Sequence, residues 1–339
     1  MTWLDGNLDR FDESSARVRP PKRGTKPRTK IRPLHEDSTD ALVITVDRGR
    51  YLTLVNEGRP DERFVIGKRA RELSRTPIVT GDIVDLVGDV SGEDGSLSRI
   101  VRVHDRITVL RRSADDTDTV ERMIVANADQ MLIVVAAANP EPRQRLVDRY
   151  VVAAFDAGIT PILCITKTDL ADPTEFLTHF TNLNITVITS RSDDPPIDAL
   201  SEALLNHRTV AVGHSGVGKS TLVNALVPGA DRAVGVVNDV TGRGRHTSSS
   251  TVSFRFPGGG WLIDTPGVRS FGLGHVRPES VLSAFTDLAE IAESCPRGCN
   301  HRDDDCAMVE AVVAGELGPN GAARLDSVQR LIASLDSVA

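Results

Sequence analysis

The chain has 339 residues and a mass of 36.6 kDa, with 40 % hydrophobic and 26 % charged residues. That balance supports packed cores in more than one domain and excludes a wholly disordered, fibrous or membrane-embedded protein. The formal net charge of −7 hides an asymmetry, because eight Lys/Arg and no acid lie between Arg17 and Arg32.

Residues 1–37 read as an unstructured basic arm. Pro20, Pro21, Pro27 and Pro33 forbid a continuous helix there. Such an arm on an acidic body either meets a polyanion such as RNA or stays a solvated tail. Aromatic residues make up only 4 %, so any nucleic-acid contact leans on charge more than on stacking.

Residues 38–108 carry the short apolar runs Leu42–Val46, Tyr51–Val55, Phe64–Ile66, Ile83–Val87 and Leu97–Val101. Turn signals separate them, and five short strands in this span predict a small barrel of the OB type. Lys68, Arg69, Arg71 and Arg75 fall between the third and fourth strands. They face RNA phosphates or merely solvate a loop.

The period changes in residues 109–277. Met131–Val135, Ile162–Ile165, Ile185–Ile188, Val210–Val212 and Leu262–Ile263 read as buried strands, with helical stretches such as Arg145–Ala157 and Lys219–Leu226 between them. The alternation predicts an α/β sheet of mostly parallel strands. In residues 278–339 strands disappear, and helices are expected over Glu279–Glu293 and Ala322–Leu335. The longest apolar run, Met131–Ala138, is eight residues and too short to span a bilayer. Met1–Asp5 lacks a signal-like opening, so a cytoplasmic protein without a membrane partner is expected.

Gly213-His214-Ser215-Gly216-Val217-Gly218-Lys219-Ser220, followed by Thr221, fits the P-loop pattern between a strand and a helix. Its glycines let backbone N–H groups cradle phosphate oxygens; Lys219 brings charge to the terminal phosphates and Ser220 a hydroxyl to Mg²⁺. Asp264-Thr265-Pro266-Gly267 follows a strand and matches the Asp-x-x-Gly of nucleotide switches. The carboxylate there reaches Mg²⁺ through water, and the Gly267 N–H reaches a terminal phosphate. Thr166-Lys167-Thr168-Asp169, directly after a strand, fits the motif that reads guanine through paired hydrogen bonds to the Asp carboxylate. Ser190, after the next strand, is a candidate second guanine loop.

In most GTPases the guanine motif follows the P-loop, yet no lysine occurs after Lys219. Either the protein reads no guanine or its sheet is circularly permuted. The remaining cysteines divide. Cys164 lies in an apolar run and reads as core, whereas Cys295, Cys299 and Cys306 cluster with His301. Those four soft or borderline donors are the complement of a closed tetrahedral Zn²⁺ site.

Taken in order, Ala126–Gln130, Asp148-Arg149-Tyr150, Thr166–Asp169, Gly213–Thr221, Gly244–Ser249, Asp264–Gly267 and the cysteine/histidine cluster resemble the RsgA family, circularly permuted GTPases dependent on the small ribosomal subunit. The likeness covers about residues 41–337. Thr166 replaces the usual Asn, and the cysteine/histidine spacing is one residue tighter in two gaps. The resemblance implies an N-terminal OB domain, a permuted GTPase domain and a helical domain holding one structural Zn²⁺. It also implies GTP hydrolysis with Mg²⁺ in late small-subunit maturation, with rRNA, GTP and GDP as partners of a monomer.

By the same resemblance Ser220 and Thr247 hold Mg²⁺. Val268 stands where many GTPases place a water-orienting glutamine, and His246 is the candidate to replace it. A P-loop ATPase and an RNA-binding scaffold with negligible turnover are the alternatives at this stage.

Overall fold

The computed structural model describes residues 35–336, except 48, 74–75, 114–120, 181–182, 184, 231–250, 266–270, 272, 274, 284 and 304. The basic arm to residue 34, His246, Thr247 and Gly267 lie outside the described residues.

Five strands, β1 (Thr39–Asp47), β2 (Arg50–Val55), β3 (Arg63–Arg69), β4 (Ile83–Gly88) and β5 (Ser98–Val103), close in the order β1-β2-β3-β5-β4-β1. This is the five-stranded barrel expected from the sequence, with Val43, Tyr51, Val65, Val84, Leu86 and Ile100 in its core. Strand β1 uses one edge twice. Thr39–Leu42 pair with β4 to close the barrel, while Thr45, beyond a register shift after Val43, pairs with Val252 of the following domain. A bulge of this kind bends a strand and frees its edge for a second partner.

A hairpin of β6 (Val109–Ser113) and β7 (Glu121–Ala126) leads into the α/β sheet. Strands β8 (Gln130–Ala136), β9 (Thr160–Thr166), β10 (Thr186–Thr189), β11 (Arg208–Gly213) and β13 (Trp261–Asp264) run parallel in the order β10-β9-β8-β11-β13. The antiparallel strand β12 (Val252–Arg255) lies between β13 and β1 and joins sheet and barrel into eleven hydrogen-bonded strands. The sequence reading omitted β12 because four residues show no usable period.

Helix α1 (Gln144–Asp156) covers one sheet face with Val147, Tyr150 and Val151; α2 (Thr174–Leu177) is a single turn. The opposite face is covered by α3 (Ile197–Leu204) and α4 (Lys219–Leu226), whose Leu200, Leu222 and Val223 pack on Leu132, Cys164 and Ala211. Burial pushes the Cys164 thiol up to about 12, so it is an inert core residue, as expected.

The expected helix over Glu279–Glu293 is two helices, α5 (Pro278–Leu282) and α6 (Thr286–Ala292). Between them Phe285 leaves helical geometry, with φ −121° and ψ 73°, and packs edge-on against Phe155 at 6.2 Å. Burying that ring outweighs one helical turn. Helices α7 (Ala307–Val313) and α8 (Gly321–Asp336) complete the chain, and Met308, Val328 and Leu331 share the apolar cluster of α1.

Barrel and sheet meet on polar groups as well. Asn127 (φ 56°) donates from Nδ2 to Gly81 O (3.0 Å) and accepts the Ile107 N–H at Oδ1 (2.8 Å). Gly81 has φ +89°, and a Cβ there would stand 2.0 Å from Ala126 O. Gly81→Ala therefore combines a left-handed alanine with a backbone clash and is expected to cost about 2 kcal/mol or more. Denaturant unfolding should show a lower midpoint; an unchanged one would mean that this junction is not tightly packed.

Candidate functional site

A parallel sheet brings the carboxyl ends of its strands to one edge, where ligands of open α/β sheets bind. Here that edge collects Thr166 from β9, the loop after β10, Gly213 from β11 and Asp264 from β13. Three motifs far apart in sequence, and in inverted order, therefore meet.

The loop Gly213–Gly218 turns on left-handed glycines, Gly216 at φ +82° and Gly218 at +92°, and delivers Lys219 and Ser220 to the first turn of α4. Gly213 must lack a side chain because a Cβ would approach Val134 O to 2.5 Å. His214 has its Nδ1 3.0 Å from Ser215 O, while Ser215, Ser220 and Thr221 are exposed and Val217 is buried beneath the loop. Lys219 Nζ forms an ion pair with Asp264, which ties the first turn of α4 to the end of β13. Thr265 Oγ1 donates to Ala211 O at 2.7 Å and so pins the end of β13 beside β11.

The Thr166–Asp169 loop is fastened to this cradle. Thr166 Oγ1 lies within hydrogen-bond reach of Val217 O and, at 3.2 Å, of Val135 O, so the hydroxyl braces this loop against the P-loop. Lys167, left-handed at φ 58°, lays its chain over the P-loop and donates from Nζ to Gly216 O (2.8 Å) and to Asn139 O. Thr168 donates from its N–H to Ser190 O at 3.2 Å, and the buried Ser190 donates in turn to Ile165 O at 2.7 Å. Asp169 is exposed and accepts the Ser192 N–H at 2.7 Å; that bond is the main cause holding its carboxyl below the usual range. Sequence reasoning missed Asn139 and Ser192, since a contact made by a backbone group leaves no mark on residue type.

The second cluster is near the C-terminus. Cys295 Sγ lies 3.7 Å from Cys306 Sγ and 3.8 Å from His301 Nδ1, Cys306 Sγ lies 3.9 Å from that nitrogen, and all four ligand atoms with Cys299 fall within 4.8 Å of one another. Zinc–sulfur bonds of about 2.3 Å make a tetrahedron with edges of about 3.8 Å, so the donor set fits a closed site. The Gln329 side chain of α8 donates to His301 O at 2.7 Å and steadies the loop. Burial lowers the His301 pKa, which favours the neutral imidazole that ligates metal.

The α1 segment Asp148-Arg149-Tyr150 joins these regions. Arg149 donates to Phe271 O at 3.4 Å, and Tyr150 meets the Phe271 ring edge-on at 5.5 Å. Asp148 pairs with Arg330 of α8 at 3.2 Å, and Arg330 also donates to His179 O at 2.8 Å.

The inverted motif order on one unbroken P-loop sheet defines a circularly permuted GTPase fold. The RsgA GTPase family model matches residues 103–274. A small ribosomal subunit biogenesis GTPase RsgA of Saccharophagus degradans is 36 % identical over 275 residues, 77 % of each chain. One of Pseudomonas aeruginosa (strain LESB58) is 41 % identical over 221 residues, 62 % of this chain and 64 % of that relative's length. The crystal structure of YjeQ from Thermotoga maritima superposes with TM-score 0.64 at 23 % identity, over 88 % of this chain and 98 % of that one. YloQ, described as a circularly permuted GTPase, gives 0.63 at 24 % identity, over 89 % and 96 %. The chain belongs to the RsgA GTPase family.

Burial pushes the Asp148 carboxyl up, against the pull of Arg330 and His179. Arg330→Met leaves that carboxylate buried without its cation and is expected to destabilise the fold by about 3 kcal/mol at pH 7. An acid whose folded pKa is raised is better tolerated when protonated, so the variant's deficit relative to wild type should shrink on acidification toward pH 5. Unfolding of both proteins at the two pH values checks this; a deficit independent of pH would assign the loss to packing alone.

Proposed function

We propose that the protein hydrolyses GTP to GDP and phosphate and serves as a switch in late maturation of the small ribosomal subunit, which binds it and stimulates turnover. One observation carries the reading: Thr166 and Lys167 are hydrogen-bonded to Val217 and Gly216, so the base-reading and phosphate-holding loops form one surface despite their reversed order. The P-loop ATPase alternative has no use for Asp169, an acceptor-only carboxylate exposed at the far end of that surface.

In this reading Asp169 accepts two hydrogen bonds from guanine, Lys167 covers the ring, and Thr168 and Ser190 shape the pocket. Gly213 to Thr221 wrap the phosphates. Lys219 exchanges Asp264 for the terminal phosphates, a lower-energy partner for a largely buried ammonium. Ser220 and, through water, Asp264 would hold Mg²⁺ beside the P-loop, where it would neutralise charge on the phosphates. By family resemblance Thr247 joins them, Gly267 contacts the terminal phosphate and His246 orients the attacking water. With Val268 in place of glutamine, turnover without the subunit is slow.

Cys295, Cys299, His301 and Cys306 would hold one Zn²⁺, which keeps the helical region folded and leaves no open position for chemistry. The domains run 38–108, 109–277 and 278–339. Lys68, Arg69 and Arg71, exposed at the end of β3 and just beyond, supply part of the rRNA contact together with the arm. No helix among the described residues is long and apolar enough to cross a membrane. We place a monomer in the cytoplasm, where the subunit is.

Nucleotide affinity and phosphate release with and without small subunits test the reading. Wild type should prefer GTP to ATP, and Asp169→Asn should erase a preference that such paired polar contacts can raise to ~10⁴. Equal affinity for both nucleotides in wild type would return the assignment to an ATPase; subunits without effect on turnover would favour the scaffold. Metal analysis should find one zinc per chain, and Cys299→Ser should release it while GDP binding persists. A folded protein without metal would refute the zinc site.

A further inference from the structure

The barrel touches the nucleotide sheet at a place the proposed function does not use. Thr45 on β1 and Thr80, just before Gly81, are both buried, and both hydroxyls donate to one acceptor, Thr251 O, at 2.9 and 3.3 Å. Thr251 is the residue before β12 and stands four positions after Thr247 in the chain. The next residue, Val252, lies opposite Thr45 on one side and opposite Asp264 on the other. Asp264 in turn lies opposite Ala211 of β11, two residues before the P-loop begins. A single row across the sheet thus runs from the barrel wall to the carboxylate that holds Lys219.

We infer that Thr45 and Thr80 are positioning residues for the nucleotide site, through which the barrel sets the place of Thr251 and, by way of Val252, of Asp264. The inference rests on the GTPase reading above. A carbonyl that takes two hydroxyl donors from two segments of the barrel is fixed in two directions. A close-packed strand cannot then shift against β13 without breaking one of those bonds. Thr80 is itself anchored, since its carbonyl accepts the Ala126 N–H at 2.9 Å and it bridges to Val125. The barrel therefore grips β12 from a rigid base. A polyanion bound to the barrel would act on the phosphate end of the sheet through this grip, a contiguous hydrogen-bonded path of the kind that can carry coupling.

The alternative is that the two hydroxyls only satisfy buried polarity. The test uses the full chain with purified small subunits and compares wild type, a Thr45→Val/Thr80→Val double variant, and a Thr45→Ser/Thr80→Ser double variant. Valine keeps the shape and removes both donors; serine keeps the donors. In the valine protein, GDP affinity and KM for GTP should stay within about twofold of wild type while subunit-stimulated kcat falls by about fivefold or more. The serine protein should retain wild-type kcat.

A valine protein with unchanged kcat overturns the inference, whether or not its melting temperature falls. So does a parallel loss of GDP affinity, or a serine protein as impaired as the valine one. A wild-type chain that turns over no GTP, with or without subunits, removes the hydrolase reading and this inference with it. That outcome is distinct from an active wild type whose valine variant is unaffected.

Discussion

A parallel sheet lines up the carboxyl ends of its strands in whatever order the chain visits them, and this protein depends on that property. Hydrogen bonds from β9 to β8, β8 to β11 and β11 to β13 set the row in which Thr166, Gly213 and Asp264 emerge together. The pairing does not depend on the order of the strands along the chain, so the Thr166–Asp169 loop can precede the P-loop by some fifty residues and still abut it. Thr166 and Lys167 then tie the two loops directly, to Val217 and Gly216. The reversed order leaves these contacts in place, and β13 leads on toward the helical region.

The price of that arrangement falls on the sheet's other edge. Strand β13 would present unpaired backbone groups there, and a short antiparallel strand covers it. That strand, β12, has its own far edge taken by β1 of the barrel, so two domains share one hydrogen-bonded surface. Side chains reinforce the seam. Leu42, Ile44, Leu52 and Leu54 on the outer face of the barrel pack with Trp261 of β13, and the Trp261 indole donates to Glu57 at 2.6 Å. Arg255 stacks over the same indole at 5.3 Å and pairs with Glu62 at 2.6 Å. The barrel is thus held by backbone, apolar and ionic contacts together.

The helical region is attached by different means. Among the described residues it shares no strand with the sheet and instead buries Met308, Leu325, Val328 and Leu331 in the apolar cluster that also contains α1. One buried ion pair, Asp148 with Arg330, fixes the register of α8 on α1. Burying a carboxylate is costly, and the cation opposite offsets the cost only in one geometry, which makes such pairs better at specifying an arrangement than at stabilising it. From α8 the contact continues through Gln329 to the backbone of His301, so the donor cluster is oriented by a helix that also touches α1.

Sequence alone marked the barrel, the five parallel strands of the sheet and a Cys/His cluster that could hold a metal, because each of these is written in local patterns; it left permutation as one of two options, between which the family resemblance chose. Apolar runs bounded by turns marked β1 to β5, and residue identity marked the P-loop, the Thr166–Asp169 motif and the Cys/His cluster. It overextended one helix, since nothing local shows that Phe285 turns inward to meet Phe155. Only the tertiary structure showed that Thr166 bonds to Val217 O of the P-loop, that the Asn139 carbonyl meets Lys167 and the Ser192 N–H meets Asp169, and that Lys219 rests on Asp264. It also decided that barrel and sheet are one surface, since β12 is too short to announce itself and its two partners lie far off in the chain. Local pattern reports what a segment buries; which distant backbone it buries against follows from packing the whole chain.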